Sequence, residues 1–164
     1  MRVIISPAKR MRRDEDSLPW LDLPRFLPQA EQLMEALRQM TPEQLRHLWR
    51  CNEAIAAENV ERLRAMDLRR HLTPAVLSFD GIQYQYMAPG VLEEKQLAFL
   101  QEHLRILSGF YGVLRPFDGV APYRLEMQAK LSVSGSRDLY AFWGSRLAEA
   151  LARETDWILN LASR

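Results

Sequence analysis

Leu104 to Met127 reads LRILSGFYGVLRPFDGVAPYRLEM, and the rest of the chain is built around what its first two glycines do. Upstream, from Leu92 to Leu107, Leu97, Leu100, Leu104 and Leu107 recur at helical spacing. Gly109 then falls where a left-handed helix cap belongs. A helix ending at Gly109 and another leaving Gly112 would present free N–H groups and the positive end of a helix dipole. Glycine would let a phosphate approach that backbone closely. Such a hairpin grips DNA without reading bases, in the manner of a helix-hairpin-helix element. The usual form of that element is Gly-apolar-Gly. Here Phe110 and Tyr111 separate the glycines, and Pro116 leaves little room for a second helix. The other reading is a glycine cap followed by a structural turn.

Outward from this stretch, RVIIS near the amino terminus reads as a short buried strand closed by Ser6-Pro7. Residues 10–28 are charged, then punctuated by Pro19, Pro24 and Pro28, and read as a loop pinned by Trp20 and Leu21. A helix is expected from about Gln29 to Met40, with Leu33, Met34 and Leu37 on one face. Thr41-Pro42-Glu43-Gln44 offers a capping threonine, a proline at the first helical position and a glutamine at the third. The helix it opens is expected to run to about Ala65. Thr73-Pro74 repeats the signal for a short helix, ended by Asp80-Gly81. IQYQYM reads as extended, KLSVSGS as a strand with a turn at Ser134-Gly135, Arg137 to Arg153 as one amphipathic helix, and WILNLAS as an apolar strand. The sum is one domain over residues 1–164: a helix-rich α+β fold with a small mixed sheet. A buried strand needs cover on both faces, so a strand that closes the chain implies a piece beyond it.

The chain has 164 residues, 48% of them hydrophobic and 26% charged, enough for one folded core and too apolar for a disordered chain. No apolar run is long enough to span a bilayer, and MRVIISPAK lacks the form of a secretory signal. The single cysteine, Cys51, cannot form an internal disulfide, which makes a reducing cytoplasm the default. The net charge of +1 excludes little. Of the 22 basic residues only Lys9, Lys95 and Lys130 are lysines. Arginine grips phosphate with two prongs, although a GC-rich genome yields the same bias.

Five blocks in chain order carry a resemblance. They are IISPAK (Ile4 to Lys9), HLRILSGFYGVLRPFD (His103 to Asp118), PYRLEM (Pro122 to Met127), DLYAFWG (Asp138 to Gly144) and NLAS (Asn160 to Ser163). Together they resemble the YaaA family of peroxide stress resistance proteins; residues 10–90 match more loosely. The resemblance implies a cytosolic α/β protein with a helix-hairpin-helix element and a positive cleft. It implies binding to duplex DNA and to distorted forms such as bubbles and junctions. It also implies a role in limiting peroxide damage and unincorporated iron. Family members continue past NLAS into a lysine-rich portion, so this chain is expected to correspond to the amino-terminal part of a longer fold.

The residues expected to contact DNA are Lys9, Arg105, Ser108, Gly109, Gly112, Arg115, Tyr123, Arg124 and Lys130. Arg124 and Glu126 are two apart, so on an extended segment they share a face and flank one cleft; an ion pair is the alternative. Arg115 either meets phosphate or pairs with Asp118. Tyr111 and Tyr123 either stack on an unpaired base or belong to the core. A different class of function, an enzyme on a phosphorylated or nucleotide substrate, would use Glu126 or Asp118 as base. No phosphate-binding loop, nucleophile elbow or metal motif supports it. His47 and Cys51, four apart on a helix, are two ligands and not a metal site. No cofactor is expected.

Overall fold

The computed structural model describes residues 1–163. Its centre is a four-stranded sheet in the order Gly112–Leu114, Leu104–Ser108, Arg2–Ile5, Ile158–Asn160. Strand β1 (Arg2–Ile5) lies in the middle, and β2 (Arg10–Met11) follows at its exit. Helix α1 (Leu27–Arg38) comes after the proline-rich loop and buries Leu27, Ala30, Leu33 and Leu37. Helix α2 (Pro42–Trp49) opens with the expected reciprocal cap between Thr41 and Gln44.

The helix predicted to continue to Ala65 is two helices. Arg50 adopts φ 50°, and Asn52 accepts a hydrogen bond from the Ile55 N–H, which starts α3 (Glu53–Ala65). A capping side chain thus outweighs a continuous apolar pattern. Next come β3 (Thr73–Pro74), α4 (Ala75–Ser78) and β4 (Phe79–Asp80). IQYQYM, expected to be extended, is helix α5 (Ile82–Met87). Its alternating pattern misleads because only Tyr84 is buried, while Ile82 and Tyr86 face solvent. A 3-10 turn at Pro89–Val91 leads to α6 (Glu94–His103).

At Leu104 the leucine spacing stops meaning helix. β5 (Leu104–Ser108) pairs parallel to β1, with Val3 opposite Leu104 and Ile5 opposite Ile106. β6 (Gly112–Leu114) returns antiparallel, with Ser108 opposite Gly112. Gly109 to Gly112 therefore belongs to a β-hairpin, and the helix-hairpin-helix element expected there does not form. The leucine pattern fits both periods, since Leu104 and Ile106 alternate with Arg105 as readily as they continue Leu97 and Leu100. Pairing of β5 with β1 on one side and β6 on the other decides for strand.

β7 (Gly119–Val120) pairs with β3. KLSVSGS is not a strand: Val133 and Ser136 meet in a single bridge around a tight turn, with Ser134 and Gly135 both at positive φ. The amphipathic run after it splits at Gly144 (φ 53°) into α7 (Leu139–Trp143) and α8 (Arg146–Glu154). Finally β8 (Ile158–Asn160) joins the other side of β1 in parallel. Val3 and Ile5 point into the main core with Leu104 and Ile106, and Leu97 and Leu100 of α6 join it. Ile4 points to the opposite face, onto Leu151 of α8 and Val113.

Candidate functional site

The first strand is the middle of three parallel ones. The chain goes from β1 to β5 on one side, then returns to β8 on the other. Such a reversal leaves a crevice beyond the carboxyl ends of the strands, where α/β sheets hold ligands. A cleft of about 520 Å³ lies at that end. Ser6 and Lys9 reach it from the end of β1, Leu107 and Gly109 from the end of β5, and Ala162 and Ser163 from the end of β8. Arg124, Glu126, Tyr140 and Leu147 complete the walls.

Residues 123–127 form the long wall because their side chains alternate. Tyr123 and Leu125 are buried, whereas Arg124 is half-buried and Glu126 exposed. Arg124 and Glu126 accordingly line the same cleft. The Lys9 ammonium lies 3.3 Å from Glu126 Oε1, both side chains well solvated. Arg124 has no carboxylate within ion-pair distance among the described residues, so its guanidinium is the uncommitted cation of the cleft.

The hairpin holds this wall in place. The peptide N–H groups of Phe110 and Tyr111 donate to Ser108 Oγ at 3.2 and 2.9 Å. Ser108 Oγ also meets Tyr123 Oη at 2.6 Å. Trp143 Nε1 donates to the Gly109 carbonyl, and the Ala121 N–H donates to Tyr111 Oη. Phe110 and Tyr111 are wholly buried, and Phe110 stacks on Tyr123. Burial pushes the phenols of Tyr84, Tyr111 and Tyr123 up, because an anion there would lose its water.

Several expected DNA contacts are therefore corrected. Ser108, Gly112 and the amides between the glycines are spent on internal hydrogen bonds and packing. Tyr111 and Tyr123 are core side chains, not stacking platforms. Arg105 is buried near the opposite end of β5, its Nε 2.9 Å from Glu154 Oε2 and one terminal nitrogen on the Gln101 and Leu104 carbonyls. Arg115 pairs with Asp118 through Nε at 3.2 Å and with Asp22 at 3.2 Å. Asp118, offered as a base, lies away from the cleft. It is buried and accepts hydrogen bonds from the Arg115 backbone and side chain. Burial pushes its carboxyl up to about 6, against the pull of Arg115. Lys130 lines a separate hollow with Glu43, His47 and Arg50.

The structure brings together Lys9, Gly109, Arg124 and Glu126 out of the predicted set. It adds Ser6, Tyr140 and Ser163, which sequence reasoning missed. Ser163 N–H donates to Ser6 Oγ at 2.8 Å and ties the ends of β1 and β8. Tyr140 sits one position off the buried stripe of Leu139 and Trp143, and that offset was the available signal that its ring is exposed. Among the described residues, no three His, Cys, Asp or Glu side chains gather as a metal site, and no helix is long and apolar enough to cross a membrane.

Comparison with known proteins agrees along the whole length. A family model described as peroxide stress protein YaaA matches residues 1–164. A UPF0246 protein of Lachnoclostridium phytofermentans is 55% identical over 164 residues, which is all of this chain and 64% of that protein. UPF0246 proteins of Pediococcus pentosaceus and Lactiplantibacillus plantarum are each 51% identical over the same length, covering 65% and 66% of those proteins. The chain thus spans just under two thirds of the length of these relatives. On a match that runs from its first residue to its last, the chain belongs to the family of the peroxide stress protein YaaA.

Proposed function

We propose that the protein serves the peroxide stress response by holding DNA, and that its contact is the cleft beyond β1, β5 and β8. The observation that carries this reading is the placement of Lys9, the unpaired Arg124 and the exposed ring of Tyr140 around one cleft of about 520 Å³. That volume lies in the range of small-molecule sites and suits a single nucleotide. A base still stacked in a duplex cannot enter it; a base at a bubble or junction can, at little unstacking cost. Arg124 and Lys9 then meet the flanking phosphates, and Tyr140 offers a face for stacking. The DNA favoured is distorted, not smooth duplex.

The test is binding of labelled bubble and matched duplex DNA across a salt series. Arg124→Ala is expected to weaken bubble binding and to lower the salt slope by about 1, the signature of one lost phosphate contact. Tyr140→Ala is expected to cost bubble binding about 1–3 kcal/mol and to leave duplex binding unchanged. Binding that ignores salt and both substitutions refutes the reading.

A second reading has its own observation. The Glu126 carboxylate lies beside the Lys9 ammonium inside a switch-point crevice, an arrangement suited to a base next to a phosphate ligand in an enzyme on a nucleotide or phosphorylated substrate. Turnover of nucleotides that disappears in Glu126→Gln, with DNA binding intact, would favour it over the first.

A further inference from the structure

The four-stranded sheet ends in β6 on one side and β8 on the other; β6 is buried, whereas β8 is exposed throughout. β8 pairs with β1 along one edge and, among the described residues, has no partner on its outer edge. Apart from Asn160, the strand and its two flanking residues are large and apolar, yet they stand in water: Trp157 is 75% exposed, Ile158 41%, Leu159 48% and Leu161 54%. Successive side chains of a strand point to opposite faces. Trp157, Leu159 and Leu161 therefore lie on the face that β1 shares with the main core through Val3, the register partner of Leu159. Ile158 lies on the other face, where Ile4 meets α8. Both layers that cover β1 stop short of β8. A strand with one wholly apolar face and an isoleucine on the other suits the interior of a parallel sheet better than an edge, and natural edges are usually blunted by charge, proline or a bulge. Trp157 to Leu161 carries none of these.

The relatives are longer than this chain. They match all of this chain, yet over a third of the Lachnoclostridium phytofermentans protein lies outside the match. We propose that β8 is the docking strand for that additional polypeptide. The added portion pairs along the free edge, as in strand addition, and covers both faces of β8. Because Ala162 and Ser163 lie within three residues of the end of β8 and line the cleft, the docked portion also adjoins the cleft and forms part of its wall. This inference rests on the exposed strand and the relatives' length; it stands or falls apart from the DNA reading.

The experiment compares the 164-residue chain with an extended one, in which these residues are followed by the unmatched portion of the Lachnoclostridium phytofermentans relative. Acrylamide quenching of Trp157 is read as the difference from Trp157→Phe in each background. In the extended chain, monomeric by light scattering, quenching of Trp157 should fall several-fold and its emission should move to the blue. Leu159→Asp, on the same face, should restore the quenching there while leaving the stability of the 164-residue chain unchanged. Three results overturn the proposal: Trp157 equally quenched with and without the extension, an extension whose amides exchange freely throughout, or a 164-residue chain that is already a dimer with Trp157 protected and is split by Leu159→Asp. The last would make a second copy the occupant.

Discussion

Gly109 offers the sharpest test of how the hairpin shapes the cleft. A Cβ at this position would stand 2.9 Å from the Met127 backbone nitrogen, 3.0 Å from the Glu126 carbonyl carbon and 3.1 Å from the Leu125 oxygen. All three are main-chain atoms, so no side chain can swing aside. The hairpin and the 125–127 wall must separate by several tenths of an ångström. The Gly109 carbonyl cannot drift freely either, because it accepts from Trp143 Nε1 at 2.9 Å. Overpacking of this kind costs about 1–3 kcal/mol. For a chain of this size each kcal/mol moves Tm by about 2–4 °C, so Gly109→Ala should melt about 2–12 °C lower.

Two other glycines separate this cause from a general glycine effect. Gly90 has nothing within 4 Å and no positive φ, so Gly90→Ala should be neutral or slightly stabilising. Gly135 has open space but φ 80°, so Gly135→Ala should show only the backbone penalty of about 1–2 kcal/mol. Equilibrium urea unfolding of the three variants, with slopes compared, is the assay. Gly109→Ala unfolding at the wild-type midpoint, or no further from it than Gly90→Ala, would refute the close-approach argument.

Ser108→Ala should cost about 2–3 kcal/mol in the same assay, because it strands the buried N–H groups of Phe110 and Tyr111 and the Tyr123 hydroxyl at once; a loss below about 0.5 kcal/mol would mean that other acceptors replace it. Asp118 gives a pH test. Its carboxyl is pushed from the ordinary 3.8 up to about 6, so between these values the folded protein binds more protons than the unfolded chain. Stability should therefore fall as pH rises from about 4 to about 6 and level off above, by at most about 3 kcal/mol. Asp118→Asn should remove that slope; urea midpoints from pH 4 to 7 that run parallel in the two proteins would count against a buried, raised carboxyl.

Much of the local structure was written in short-range chemistry. Thr41 and Gln44 announced a helix start through side-chain geometry that needs nothing but four residues. Ser134-Gly135 announced a turn in the same way. Arg124 and Glu126 lie on the same wall because an extended chain alternates its faces. Where two periods fitted one pattern, local chemistry was silent. LRILS serves a helix or a strand equally well, and only hydrogen bonding to β1 and β6, remote in sequence, selects the strand. That selection turns the glycine pair from a phosphate seat into the buried bend of a β-hairpin. Arg105 follows the same logic: a guanidinium's reach is legible in the sequence, but the carboxylate that claims it, Glu154, arrives from far along the chain, whereas Arg115 is claimed both by Asp118, three residues on, and by the remote Asp22.

Short-range chemistry alone sets the apolar segments, the Thr41 cap, the alternation of Arg124 with Glu126, and the family blocks that mark the chain. The tertiary structure alone decided that β1, β5 and β8 end together, so that Lys9, Arg124, Glu126 and Tyr140 share one cleft. The physical reason is range: caps and alternation are settled within a few residues, whereas a crevice exists only once strands distant in the chain lie side by side.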